Sequence, residues 1–347
     1  MSKTGNPIPT GVALIGAGMI ARTHVEALSA MGDAVRLVAI VSRNPDRARP
    51  LAGFYAGDAP VFTSDLAAVA ADPEIDIAIV ATPPSVREAV IGPLARAGKH
   101  ILLEKPVART VQEAEEVIGI CDRAGVSLGV LFQHRKRAPS IAAARLVQSG
   151  TLGALGLVEI AVPLWRDQSY YDALGRGTYA RDGGGVMLTN AIHSIDLALS
   201  LAGPVTRVQA MTATTVLHRM EAEDFAVAGL HFANGAVGSL IAGTAMFPHR
   251  TEVIRLHFQR ASLRIDKTAL TVDWRDGRQD VDEGPAMSPT GGKHVWHQAV
   301  IEDFIDALRT GKPPMVTGRE AQRSHRVIEA IEASSRTGRT VDLPRNI

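Results

Sequence analysis

The sequence predicts an α/β first half with a parallel sheet, followed by an α+β second half with an antiparallel or mixed sheet. Three observations carry this reading. Up to about Gln133, short apolar runs alternate with amphipathic stretches, the pattern of βαβ crossovers. The run Ile75–Ala81 is rich in β-branched residues, and Ile77–Val80 within it is unbroken in its apolar character, as burial on both sheet faces demands. Beyond Gln133, longer strand-like stretches follow one another with turn residues between them, which favours hairpins.

In chain order, Val12–Ile15 is a buried strand ending in Gly16, and Ile20–Ala30 is a helix. Arg36–Val41 is a second strand, Asp46–Ala52 is helical, and Val61–Thr63 is a short strand. Ser64 is placed to cap a helix running to Ala70. Pro83-Pro84 stops the strand Ile75–Ala81, and Val86–Ala97 is helical, with Gly98 as its C-cap. Ile101–Leu103 ends at Glu104-Lys105-Pro106. Thr110 and Glu113 form a capping box opening a helix to Ala124, and Val126–Phe132 closes the alternating region.

The second half opens with the basic run His134-Arg135-Lys136-Arg137 and a helix from Ser140 to Gln148. Strands are expected at Leu157–Leu164, Val205–Thr215, Phe225–Phe232, Ala236–Thr244, Thr251–Phe258, Ala261–Ile265 and Ala269–Trp274. Asn234-Gly235 marks a hairpin between two of them. Asp280–Gly292 reads as a polar loop, and two helices finish the chain: Val295–Thr310, and one ending near Ser335 behind the capping box Thr317/Glu320.

Composition narrows the classes. At about 150 residues per domain, 347 residues make two domains, here 1–133 and 134–347. The net charge is +1, so neither nucleic acid nor a membrane surface is an expected partner. With 46% hydrophobic and 21% charged residues, the chain can build real cores rather than stay disordered. The one cysteine, Cys121, excludes an internal disulfide framework and a multi-cysteine metal site. It also fits a reducing, cytoplasmic setting. No apolar run reaches membrane-spanning length, and Met1–Thr10 lacks the apolar core of a secretory signal.

The first motif is Gly16-Ala17-Gly18-Met19-Ile20-Ala21, between a strand and a helix. Gly16 permits the tight turn, Gly18 lets the backbone approach a pyrophosphate, and Ala21 allows close helix–strand packing. The helix start at Met19 and Ile20 would offer free N–H groups to phosphate. After the second strand the chain reads Val41-Ser42-Arg43-Asn44, with no carboxylate for the ribose hydroxyls of NAD. Ser42 and Arg43 can meet a 2′-phosphate instead, so NADP is favoured over NAD. Lys105, at the carboxyl end of a parallel strand, can stabilise a developing alkoxide. His193, behind the glycine-rich Asp182–Gly185 segment and four residues after Thr189, suits proton transfer near neutral pH.

The ordered set resembles the Gfo/Idh/MocA family of oxidoreductases. It comprises the GxGxxA turn, Ala81-Thr82-Pro83, Glu104-Lys105-Pro106, and the glycine-rich run into His193-Ser194-Ile195-Asp196. It extends to the tail Glu302-Asp303-Phe304, Gly311-Lys312-Pro313-Pro314 and Thr317-Gly318-Arg319-Glu320. The resemblance covers essentially the whole chain. It implies an α/β Rossmann domain with a parallel sheet, then an α+β domain with a large open, mostly antiparallel sheet. It also implies hydride transfer between nicotinamide and a hydroxyl-bearing carbon of a sugar, cyclitol or related cyclic alcohol, and a homodimer or homotetramer. Lys105 would polarise the reacting oxygen and His193 would be the acid–base. Thr82 and Pro83 would line the nicotinamide side, with Glu104 supporting the cofactor pocket. Two positions depart from the pattern. Thr189, followed by Asn190, stands where an Asp is common, and Arg87 stands where a His is common and reads as a surface change. A non-sugar diol dehydrogenase and a non-catalytic dinucleotide sensor remain as alternatives.

On the substrate side, Trp165–Tyr171 and Arg176–Arg181 hold one of three tryptophans and three of four tyrosines. Trp165, Arg166, Tyr170, Thr189 and Asn190 are therefore expected to meet substrate along with Lys105 and His193. His294 and His297 share a helix face, but no carboxylate or third histidine stands at metal spacing, so no metal is expected. His297 could instead line a pocket. His134 and Arg135 could approach substrate or cofactor phosphate, while Arg135-Lys136-Arg137 otherwise reads as a solvated face.

Overall fold

A computed structural model describes residues 9–284 and 294–344. The expected polar N-terminal segment, up to residue 8, and the loop expected at Asp280–Gly292, from residue 285 onward, lie outside the described residues.

Six strands, β1 (Thr10–Ile15), β2 (Val35–Val41), β3 (Val61–Thr63), β4 (Ile77–Val80), β5 (His100–Glu104) and β6 (Leu128–Leu131), form one all-parallel sheet. Its order, β3-β2-β1-β4-β5-β6, is that of a dinucleotide-binding doubly wound sheet, with the topological switch between β1 and β4. Every residue of β4 is buried, as the unbroken Ile77–Val80 run requires. Two local expectations change. The helix expected over Asp46–Ala52 is a short turn, Pro45–Ala48, capped by Asn44 and continued as 3₁₀ helix over Arg49–Phe54. The cap of the next helix, Leu66–Ala71, is Asp65 rather than Ser64, because the Asp65 carboxylate accepts the Ala68 N–H at 2.9 Å.

The second sheet has nine strands: β7 (Leu155–Pro163), β8 (Val205–Ala213), β9 (Phe225–Phe232), β10 (Val237–Gly243), β11 (Val253–Phe258), β12 (Ala261–Ile265), β13 (Leu270–Trp274), β14 (Gln279–Asp282) and β15 (Val341–Asp342). It is antiparallel except where β7 and β10 pair in parallel. The β9–β10 hairpin turns at Asn234-Gly235, with Gly235 at φ 90° and Asn234 accepting the Ala236 N–H. Gln279–Asp282, expected within a loop, is a fourteenth strand on the sheet edge.

The chain divides into two compact units, and not at a single cut. The first runs to Val107, takes Glu113–Leu131, and is completed by the segment ending at Gly318. The second takes Ala108–Gln112, begins again at Phe132 and resumes at Arg319. One change of unit falls between Leu131 and Phe132, and helix His294–Thr310 belongs to the first unit. Its Val300, Ile301, Phe304 and Ile305 share one core with Val25, Leu28, Ile77 and Leu102.

Candidate active site

In the first unit, Gly16 follows β1 at φ 112°, and a Cβ there would press on the Ala81 carbonyl at 2.9 Å. Only glycine fits that turn. A Cβ on Gly18 would meet nothing within 4 Å, so the space over the backbone is open. Helix Ala21–Ala30 begins with no side-chain cap; its Ala21 N–H donates to the Gly18 carbonyl at 3.0 Å, and a helix start of this kind suits an anion. Met19 is 81% exposed beside it, and Ile20 occupies the cap position. The Thr82 hydroxyl is buried with no hydrogen-bond partner among the described residues, next to Pro83 at the carboxyl end of β4. An open glycine turn, an uncapped helix start and a buried orphan hydroxyl fit a bound dinucleotide.

After β2, the Ser42 hydroxyl donates to the Asn44 carbonyl at 3.2 Å. Arg43 is exposed and makes no hydrogen bond or ion pair among the described residues.

Arg87, expected on the surface, is instead 2% exposed. Its guanidinium donates to the Thr82 carbonyl from Nη2 at 3.1 Å and Nε at 3.3 Å. Burial pulls its pKa down to about 9, against the pull of the Glu104 charge. Arg87 therefore braces the Thr82-Pro83 turn from behind.

Glu104 closes β5 and Lys105 follows, half-buried, before Pro106. His24 Nε2 lies 2.9 Å from Glu104 Oε1, and His297 Nε2 lies 3.6 Å from the same atom. All three groups are buried. Burial alone would raise the Glu104 pKa, but the hydrogen bonds and charges of the two histidines hold the carboxyl well below the usual range. The expectation that His297 lacks ligand-type neighbours is thus corrected: His24 and Glu104 join it within 4.8 Å, brought by folding from distant segments. The 2.9 Å contact is a direct charge-assisted hydrogen bond, so the trio fixes the carboxylate beside Lys105.

The second unit carries His193, 7% exposed. One turn of π-helix, Met187–Ala191, precedes its helix Ile192–Ala202. Such wider turns recur at functional sites. The segment is pinned by Glu223, whose carboxylate accepts the Gly185 and Met187 N–H groups at 2.9 and 3.0 Å, while its carbonyl accepts Val186 at 2.8 Å. A Cβ on Gly185 would fall 1.7 Å from that carbonyl. The Thr189 hydroxyl donates back to the Gly185 carbonyl at 2.6 Å and lies 2.9 Å from Asn190 Oδ1, so it is spent on local backbone.

Three residues after His193, Asp196 is buried and takes both arms of Arg135 at 2.7 Å; Arg135 also reaches Glu320 at 3.1 Å. Arg137 is buried on Glu252 at 2.7 Å. Arg135 and Arg137 are therefore paired interior groups rather than a solvated face. Glu320, expected in a capping box, also pairs with Arg135 and Arg323.

The expected aromatic cluster forms within the second unit. Tyr170 lies under Arg166 and Arg176, with Arg176 donating to its hydroxyl at 2.8 Å. Trp165 donates to Asp167 and packs on Phe247 and His218. Arg166 Nε is buried without a hydrogen-bond partner among the described residues. His218, unremarked in the sequence, is locked between Asp224 and the Arg166 carbonyl, both at 2.8 Å.

Glu332 lies behind the glycine-rich segment. Burial, then the charges of Glu223 and Glu329, push its pKa up to about 7. A raised carboxyl pKa favours the protonated fold, so the group destabilises progressively as pH climbs from about 4.5 through 7. Glu332→Gln is expected to raise stability at pH 8 by about 1–2 kcal/mol and to bring no gain near pH 4.5. Thermal melts at the two pH values check this; an unchanged or lower melting temperature at pH 8 contradicts it.

An uncapped helix at a parallel switch point, with a lysine at a strand end, defines a nicotinamide-dinucleotide oxidoreductase. Residues 10–132 match the oxidoreductase family described as the NAD-binding Rossmann fold of GFO_IDH_MocA, and residues 141–264 match the GFO/IDH/MocA C-terminal domain. The chain belongs to the Gfo/Idh/MocA family of oxidoreductases. It is 27% identical to D-apiose dehydrogenase of Paraburkholderia graminis, over 95% of this chain and 89% of that one. It is 28% identical to levoglucosan dehydrogenase of Pseudarthrobacter phenanthrenivorans, over 96% and 98%. Among solved structures, the WlbA dehydrogenase of Bordetella pertussis, in complex with NADH and UDP-GlcNAcA, superposes with a TM-score of 0.82 at 30% identity, covering 97% of this chain and 99% of that one.

Proposed function

We propose that this oxidoreductase transfers hydride between a nicotinamide dinucleotide and a hydroxyl-bearing carbon of a sugar, cyclitol or related cyclic alcohol. The observation that carries this is Lys105, an ammonium group at the carboxyl end of β5, beside a carboxylate clamped by two buried histidines. Relatives named for apiose, levoglucosan and xylose support the substrate class.

The dinucleotide, when bound, supplies the hydride acceptor. Gly16, Gly18, Met19 and Ile20 would receive its phosphates at the helix start, and Thr82 and Pro83 would line its nicotinamide side. Lys105 donates a hydrogen bond to the substrate oxygen and stabilises it as the O–H proton leaves. His193 takes that proton. With the cofactor bound, the carbon's hydride would have an acceptor and the oxygen would be left as a carbonyl. Trp165, Arg166, Tyr170, Thr189 and Asn190 contribute to the sugar side, where the unpartnered Arg166 Nε offers a donor.

A chain that carries Ser42 and an exposed Arg43 after β2, where no carboxylate stands, supports NADP over NAD. Arg43→Ala is expected to weaken NADP binding about tenfold, the worth of one charge-assisted pair of about 1.4 kcal/mol, and to leave NAD binding within twofold. Calorimetric titration with each cofactor tests it; equal losses for both would overturn the preference. On the second sheet, Leu157, Met211, Val237 and Ile241 stay exposed on β7, β8 and β10, which supports a second copy of this chain covering that face.

A further inference from the structure

We propose that His134 is a positioning residue for His193: a neutral imidazole, locked in one tautomer by Arg137, that holds the plane of the His193 ring by stacking. The proposal rests on the reading of His193 as the acid–base of the reaction.

The two rings lie 4.3 Å apart between centroids and only 22° from parallel. Phe132 meets the same His193 ring edge-on at 5.7 Å. A face contact fixes a ring plane without using a ring nitrogen, so the stack itself does not compete with proton transfer. The stack is itself anchored. Arg137 Nη2 lies 2.6 Å from His134 Nε2, and a guanidinium can only donate. His134 Nε2 therefore accepts, and the ring proton sits on Nδ1, which faces Glu252 Oε1 at 3.8 Å. Glu252 in turn holds Arg137 at 2.7 Å. His134 cannot take a second proton without breaking the Arg137 contact. Two cationic rings at this separation would also repel, so the proton belongs to His193. Charged groups around the pair include Asp266, which acts on Arg137, and the Arg135–Asp196–Glu320 network that seats the His193 helix.

Long-range proton–nitrogen NMR of the full chain, with ¹⁵N-labelled histidine, reads the tautomer directly and needs no variant. His134 is expected to carry its proton on Nδ1 and to stay neutral from about pH 8 to 5, while free histidine titrates near 6.5. In Arg137→Met it is expected to titrate. A wild-type His134 protonated on Nε2, or titrating near pH 6.5, overturns the proposal. Kinetics supply the second arm. His134→Ala is expected to lower kcat about tenfold with KM nearly unchanged, and His134→Phe, which keeps a flat face, to recover most of it. Equal kcat in wild type and His134→Ala also overturns it. Failure of the acid–base reading looks different: full activity in His193→Ala with the His134 tautomer intact.

Discussion

Lys105→Met is expected to lower turnover by about 10²–10³-fold or more while dinucleotide binding stays within a fewfold of wild type. Methionine keeps the length and half-burial of the side chain and removes its charge and all three donors. The adjacent Glu104 is held by the His24/His297 clamp, which the substitution leaves in place. The phosphate end of the proposed cofactor site is assigned to Gly16, Gly18 and the uncapped helix start, none of which the substitution touches. Steady-state turnover beside calorimetric cofactor titration separates the two effects. Wild-type turnover in Lys105→Met would remove the lysine from the chemistry.

His193→Ala is expected to slow turnover about 10²–10⁴-fold, the range for loss of a positioned acid–base. The segment before it sharpens that expectation. Thr189 cannot act as a carboxylate base, and its hydroxyl is committed to the Gly185 carbonyl at 2.6 Å. No acidic side chain lies one turn before His193 in sequence, so the histidine has no obvious understudy there. The loss should appear in kcat and flatten the pH profile where the imidazole titrates. A loss of only severalfold would reduce His193 to a packing role, stacked on His134 and Phe132.

Much of this was legible in the sequence because it is local. The glycine turn, the β-branched β4 run, the Asn234-Gly235 hairpin and the helix after the Asp182–Gly185 bend each depend on residues a few positions apart. The positions that escaped the sequence reading mostly depend on long-range approach. His24 and Glu104 meet across 80 positions, and His297 joins them from a helix that returns to the first unit after the second sheet is built. Glu223 reaches Gly185 from 38 positions away, with no motif to announce it. Arg87 escaped for a different reason. An arginine in an amphipathic helix is usually solvated, and only the fold shows that the Thr82 carbonyl, five residues back, takes its guanidinium indoors. The π turn before His193 has no simple periodic signature, since its extra residue per turn breaks the helical spacing.

Hydride transfer between a sugar or cyclitol carbon and the nicotinamide ring is tested most directly by supplying carbon-deuterated sugars and cyclitols with NADP or NAD and examining the recovered cofactor by mass spectrometry. At least one member is expected to pass deuterium from its C–D bond to the nicotinamide ring, with label absent in Lys105→Met. Unlabelled cofactor across the whole panel, despite tight dinucleotide binding, would contradict it.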